Sequence, residues 1–312
     1  AVSRSTKWPP TWRGWGRGGT MDKAGIYTDI PLTDYINDPA PEPSLNASIA
    51  TTLLTATPAH ARLQHPRLNP QQDREESSRL DLGTIAHGIL LEGDSSRVVV
   101  IDADDWRKKE TKEQRDEARA AGRLPILKAY HATVLEMVKA AEGYIYSSEI
   151  AADFKAAIPE QTLIWQEAGI WLRCRPDKAT PDWRVVFDYK TCAGTAHPAV
   201  WAKSAMVRFG YDIQAAINLR GVKALTKAKR TTFVFLVQEI EPPYVLSIVS
   251  LSPEWLQLAD DKLRVAMSIW QGCTRKNEWP GYPSRIAYVD PPAFASMDWD
   301  ACLPAIDAED FI

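Results

Sequence analysis

Residues 171–191, WLRCRPDKATPDWRVVFDYKT, decide how this chain is read. Ile170, Leu172 and Cys174 alternate with Trp171, Arg173 and Arg175, the period-two pattern of a strand with two unlike faces. Arg184-Val185-Val186-Phe187 is β-branched and aromatic, the composition of a second strand. Between them, Thr180-Pro181-Asp182-Trp183 is a turn signal, with proline preset for the second turn position. A hairpin folded about Asp182-Trp183 sets Asp177 opposite Asp188. Lys190, two residues further on, shares the face of Asp188. Two carboxylates and a lysine therefore meet at one end of the expected hairpin. Like charges directly opposed across a sheet are unfavourable. A divalent cation between them is the natural remedy, because hard cations seek carboxylate oxygens.

The rest of the composition narrows the setting. The chain has 312 residues, 45% hydrophobic and 25% charged, as in an ordinary globular protein. No run approaches the roughly eighteen apolar residues of a membrane span, so no membrane partner is expected. The formal charge of −3 means that any nucleic acid must be held by a local basic patch, not by bulk charge. Four cysteines are scattered without a CxxC pair, which argues against a zinc ribbon or an iron–sulfur cluster and fits a reducing, cytoplasmic location. The twelve tryptophans read mostly as packing residues.

Residues 1–20 are rich in Gly, Arg, Trp and Pro and lack the apolar core of a signal peptide. They read as a disordered leader or an appended segment, with Met21 as a natural start; the functional alternative is a basic aromatic arm that touches DNA. Residues 44–58 form a short helix stopped by Pro58, followed by a polar loop to about Ser78. A further helix enters at Gly83-Thr84 and leaves at Gly93, carrying His87. Residues 98–101 are a buried-strand candidate, 106–123 a charge-rich solvated helix, and 126–142 an amphipathic helix with Tyr130, Val134, Met137, Val138 and Ala141 on its core face. Beyond the hairpin, 198–209 and 211–227 read as helices and 230–240 and 244–251 as strands, the first nearly all apolar and therefore central. Ser252-Pro253 opens a helix that ends near Gly272, and the Pro-rich remainder is extended down to the acidic DAEDFI. With no internal repeat or linker, residues 21–312 read as a single α/β domain with a mixed central sheet flanked by helices.

Pro176-Asp177 followed by Asp188-Tyr189-Lys190 is a PD…(D/E)xK arrangement, short and degenerate by itself. Its context is more specific. Over roughly residues 45–290 the chain resembles the RecE-type exonucleases, the exonuclease VIII group of the PD-(D/E)XK nucleases. The resemblance rests on Ser44 through Arg62, Gly83-Thr84-Ile85-Ala86-His87 with Leu91-Glu92, Cys174-Arg175-Pro176-Asp177, Asp188-Tyr189-Lys190-Thr191, Tyr211-Asp212-Ile213-Gln214, Glu239 through Pro243 and Trp279-Pro280-Gly281-Tyr282. It implies a restriction-endonuclease-like core and 5′→3′ digestion of linear double-stranded DNA with Mg²⁺. It also implies a role in phage or prophage recombination beside a single-strand annealing protein, and a ring-like homo-oligomer on DNA ends.

The resemblance assigns His87, Asp177, Asp188 and the Tyr189 backbone carbonyl to the metal, and Lys190 to catalysis. The chemistry needs these groups: a cation acts as Lewis acid and water activator, and a lysine beside it offsets charge in the transition state. Burial and the metal are both expected to lower the Lys190 pKa. Imidazole suits Mn²⁺ better than Mg²⁺, so Mn²⁺ should substitute. Glu92 is a further metal candidate, although positions 87 and 92 are about 140° apart on an α-helix; Glu167 is a weaker one. Gln214 resembles the glutamine of a Q-x-x-x-Y motif, but Asn218 stands where its tyrosine belongs, and Tyr211 is the expected substitute. Arg173, Arg175, Lys203 and Arg208 are candidate DNA contacts, with Lys223, Lys227, Lys229 and Arg230 extending the basic run. Two rivals stand beside this reading. One is a single-strand-specific or endonucleolytic PD-(D/E)XK nuclease; the other is a DNA-end-binding recombination scaffold with vestigial chemistry.

Overall fold

The computed structural model describes residues 20–70, 82–93, 95–292 and 297. The leader before Thr20, most of the loop approaching Ser78 and the acidic tail lie outside the described residues. β1 (Gly25–Tyr27) and α1 (Leu32–Ile36) precede α2 (Ala47–Thr55) and α3 (Pro58–Gln64). α4 (Leu82–His87) continues into a π-helical turn, Gly88–Glu92. Then follow β2 (Val98–Ile101), α5 (Lys109–Ala120), β3 (Leu124–Leu127), α6 (Lys128–Tyr146) and α7 (Ala151–Ala156). The strands β4 (Ile158–Pro159), β5 (Thr162–Glu167), β6 (Ile170–Cys174), β7 (Lys178–Ala179) and β8 (Val185–Cys192) come next. α8 (Pro198–Trp201), a second π turn (Ala202–Met206), α9 (Val207–Phe209) and α10 (Tyr211–Leu225) lead to β9 (Thr232–Glu239), β10 (Leu246–Ser250) and α11 (Pro253–Lys276).

The five-stranded central sheet has the order β10-β9-β8-β7-β4. β8 and β9 are parallel and the other pairs antiparallel, so the sheet is mixed, as expected. The parallel pair needs a crossover, and the helices from α8 to α10 supply it. β9 is buried on both faces, which is why it reads as a nearly continuous apolar run. Phe187, Tyr189, Val234 and Leu236 pack on one side with Val134, Met137 and Val138 of α6. Val186, Phe235 and Val237 pack on the other with residues of α2, α10 and α11. Helices thus cover both faces of the sheet. Their starts follow local chemistry: Asn46, Thr57 and Ser252 accept the first free backbone N–H groups of α2, α3 and α11.

The decisive stretch is not one hairpin. β6 pairs with β5, and β5 with β1, in a separate three-stranded antiparallel sheet. Only Lys178–Ala179 pairs with β8. Arg175-Pro176-Asp177 carries the chain from one sheet to the other, and Pro176 has no N–H to continue a ladder. The register survives the break. Lys178 faces Phe187 and Ala179 faces Val186, so one step further on Asp177 approaches Asp188. The turn is also where expected: the Trp183 N–H donates to the Thr180 carbonyl at 2.8 Å.

Four other expectations are corrected. Pro58 does not only stop a helix; it is the first residue of α3, where its missing N–H costs nothing. β2 pairs with β3 in a two-stranded parallel sheet and leaves Val100 exposed instead of buried. Tyr130 of α6 faces solvent, while Val134, Met137, Val138 and Ala141 are buried as expected. α11 runs through Gly272 to Lys276, closed by Asn277 at φ 54°.

The chain divides into two compact units, Ala1–Trp279 and Pro280–Ile312. Residues 280–292 contain no helix or strand. Among the described residues, no helix is long and apolar enough to cross a membrane.

Candidate active site

A cleft of about 800 Å³ opens where α4, its π turn, β8 and the start of α10 converge. Asp177, Tyr189, Lys190, His87, Glu92, Glu160, Arg175 and Tyr211 line it, and Pro31 to Tyr35 form a wall. His87 comes from the end of α4, and its Nε2 lies 3.2 Å from Asp177 Oδ1. Asp177 Oδ2 accepts the backbone N–H of Tyr189 at 2.7 Å. On β8, Asp188 is fully buried. Lys190 Nζ sits 2.5 Å from its Oδ2, and Gln214 Nε2 of α10 donates to its Oδ1 at 2.5 Å. The ammonium of Lys190 also lies 5.0 Å from the centroid of the Tyr211 ring.

Charge follows from this crowding. Burial pushes the Asp188 carboxyl up, Lys190 pulls it down and Asp177 pushes it up again; the result is about 6. Burial alone would also raise Asp177, but His87 and Lys190 hold it below the usual carboxylate range. Burial would lower His87, yet Asp177 and Glu160 beside it raise it to about 9. Lys190 departs from expectation. Burial does lower it, but Asp188 and Asp177 together more than offset that, so in the metal-free site its pKa is raised.

The chain as a whole matches a known family. The model of the PDDEXK-like domain of unknown function DUF3799 matches residues 52–292, most of the chain. The chain belongs to this PDDEXK-like family. A Eubacterium rectale protein whose crystal structure carries the name "Putative exonuclease" is similar in fold, at 15% sequence identity, TM-score 0.55, over 82% of this chain and 92% of that one. SSO0001 aligns at 12% identity over 75% of this chain and 87% of that one, but its TM-score of 0.29 carries no argument. No curated protein matches the chain. Fold and family together place the chain in the PD-(D/E)XK superfamily.

The donor set of this PDDEXK-like site fits a divalent cation. His87, Glu92 and Glu160 each offer a ligand atom, and these atoms all lie within 4.8 Å of one another. Asp177 touches His87, and hard cations favour such carboxylate oxygens. The angular objection to Glu92 fails because residues 88–92 form a π turn, whose i→i+5 repeat returns Glu92 to the side of His87. The Tyr189 carbonyl lies on β8 between Asp188 and Lys190. The Tyr189 side chain points to the other face, where its hydroxyl donates to Gln238 at 2.5 Å.

Glu160 is the site residue that the sequence reading missed. Ile158 and Pro159 pair with Ala179 and Lys178, and the Glu160 N–H donates to the Asp177 carbonyl at 3.0 Å. A two-residue strand is too short to announce itself by alternation, so nothing pointed to it.

Several candidates fall elsewhere. Glu167 sits at the far end of β5, ion-paired with Arg220 and away from the cleft. Arg173 is no surface arginine: it is buried, 3.1 Å from Asp38 Oδ1, and donates to the Ser44 carbonyl and hydroxyl at 2.7 Å each. Arg175 reaches the cleft, but its guanidinium is held by Glu160, the Ile30 carbonyl and Thr162. Lys203 and Arg208 are exposed on the segment that leads into α10. Lys223 lies at the other end of α10, about 14 Å from Gln214 at 1.5 Å per residue, and the basic residues after it follow the end of that helix. Asn218 does not take over the missing tyrosine's place: its amide donates to the Gln214 carbonyl at 2.8 Å, while Tyr211 lies against Lys190.

Proposed function

We propose that this chain is a metal-dependent deoxyribonuclease that digests linear double-stranded DNA in the 5′→3′ direction and leaves 3′ single-stranded overhangs. The observation that carries the reading is Asp177 and Lys190 lining one cleft with Asp188 buried directly behind Lys190, His87 against one carboxylate and Gln214 against the other. Asp177, Asp188 and His87, with Glu92 and Glu160, would hold Mg²⁺, or Mn²⁺ in its place. When bound, the ion supplies Lewis-acid polarisation of the phosphate and acidifies a water.

The chain's own groups supply the rest. Gln214 fixes one oxygen of Asp188, so that carboxylate cannot rotate away. Lys190, charged and beside Asp188, is positioned to orient the attacking water and to offset charge developing on the phosphate oxygens. Tyr211 flanks the ammonium and limits its movement. Pro31, Leu32, Thr33 and Tyr35 also line the cleft. The resemblance to the RecE-type group supports the polarity, a ring-like homo-oligomer, a single-strand annealing partner and a cytoplasmic setting.

Incubation with linear and covalently closed circular duplex tests the exonuclease reading. With Mg²⁺, linear DNA should be degraded and circles left intact. Nicking of circles would identify an endonuclease. Tight end binding with no hydrolysis in Mg²⁺ or Mn²⁺ would identify a scaffold instead.

A further inference from the structure

An exposed aromatic ring stands beside the cleft. Phe209 is 55% exposed, and Val207 and Val200 on the same segment are 57% and 50% exposed. Its ring lies 5.6 Å from that of Tyr211, which in turn lies 5.0 Å from Lys190 Nζ. The Arg208 guanidinium sits 5.4 Å from the Phe209 centroid. No acidic residue occurs between Asp188 and Asp212, whereas Lys203 and Arg208 are both exposed there. Asp212 itself is buried and paired with Lys262. The backbone beside the ring is tightly placed. Gly210 turns the chain at φ +68° between α9 and α10, and a Cβ there would meet Thr51 Oγ1 at 2.2 Å.

We propose that Phe209, flanked by Arg208 and Lys203, is a stacking platform for an unpaired nucleobase of the DNA strand entering the cleft. The substrate class rests on the nuclease reading given above. Aromatic faces bind bases without regard to sequence, and the Arg208 guanidinium over the ring adds a phosphate partner. Phe209 is two ring contacts from Lys190, so at about 3.4 Å per stacked nucleotide the base it meets lies within about three nucleotides of the scissile phosphate. The platform holds the strand after it leaves the duplex and thereby sets its register in the cleft.

The test is an abasic scan. Duplexes carrying one abasic residue at successive positions near either end are titrated in EDTA against the wild type, Phe209→Ala, Phe209→Leu and Phe209→Tyr, and binding is followed by anisotropy. For the wild type, one position should weaken binding about tenfold when its base is removed. Phe209→Ala should bind intact DNA about tenfold more weakly and lose sensitivity at that position. Phe209→Leu should lose most of it, and Phe209→Tyr should keep it. Equal abasic sensitivity in Phe209→Ala and wild type would overturn the proposal. So would a changed oligomeric state in Phe209→Ala with DNA binding unaltered, which would make this face a subunit contact. Abasic sensitivity without any hydrolysis in Mg²⁺ would sink the nuclease reading but leave the platform standing.

Discussion

Asp188 is held by two neighbours that act differently on it. Lys190 favours its charge, whereas Gln214 fixes its orientation with a neutral donor. Gln214→Ala should therefore lower kcat by roughly tenfold while leaving the fold intact, and Gln214→Glu should do worse by setting a second carboxylate against Asp188. Circular dichroism and single-turnover hydrolysis separate the two effects. His87 sets a pH dependence. Its pKa in the metal-free protein is about 9, against an ordinary value of 6.5. A raised histidine pKa contributes stability that is complete below 6.5 and lost as the pH climbs through 9. Ligation needs the neutral ring, so cation binding expels a proton, and Mn²⁺ affinity should rise nearly tenfold per pH unit from pH 6.5 toward 9. Calorimetric titration in two buffers of different ionisation enthalpy measures that proton; a pH-independent affinity would remove His87 from the ligand set. Asp177, Asp188 and Lys190 were legible because period two is a strong signal on a strand. Arg173 was misread because the partners that bury it, Asp38 and Ser44, lie far away in sequence.

Helices and strands were read better in kind than in detail. The apolar run of β9 announced a central strand, but no pattern distinguishes a strand that changes sheets at Pro176 from one that continues. The π turn is a sharper case. Angular bookkeeping on an α-helix counted against Glu92, a candidate about 140° from His87, and one wider turn removes that objection. Gly210 was legible as a helix break, whereas its contact with Thr51 was not. Gly210→Ala would force a side chain into left-handed backbone and onto Thr51, costing about 1–3 kcal/mol from backbone strain alone. It should also weaken DNA binding more than Gly88→Ala, where a Cβ meets nothing within 4 Å. Urea denaturation beside anisotropy checks both.

Across the whole molecule, one buried cluster ties the first segment to β6, the strand that leads into Asp177. Asp38 accepts from the Ser44 N–H at 2.8 Å and Oγ at 2.6 Å, and it pairs with Arg173 and His65 at 3.1 Å each. Asp38→Ala strands a buried guanidinium and should cost about 3–5 kcal/mol, seen as an earlier urea midpoint. Loss of less than about 1 kcal/mol would mean that the cluster relaxes or hydrates. The α/β class and mixed sheet were legible from the order of elements; the Asp38 cluster was not, because it joins residues with no local pattern. The central claim concerns the cleft, and the most direct measurement is nucleotide release from linear duplex labelled separately at its 5′ and 3′ ends. The wild type with Mg²⁺ should release the 5′ label first. Asp188→Asn and Lys190→Ala, folded by circular dichroism, should fall by at least about a hundredfold. Full activity in either variant, or activity of the wild type unchanged by EDTA, would contradict the account.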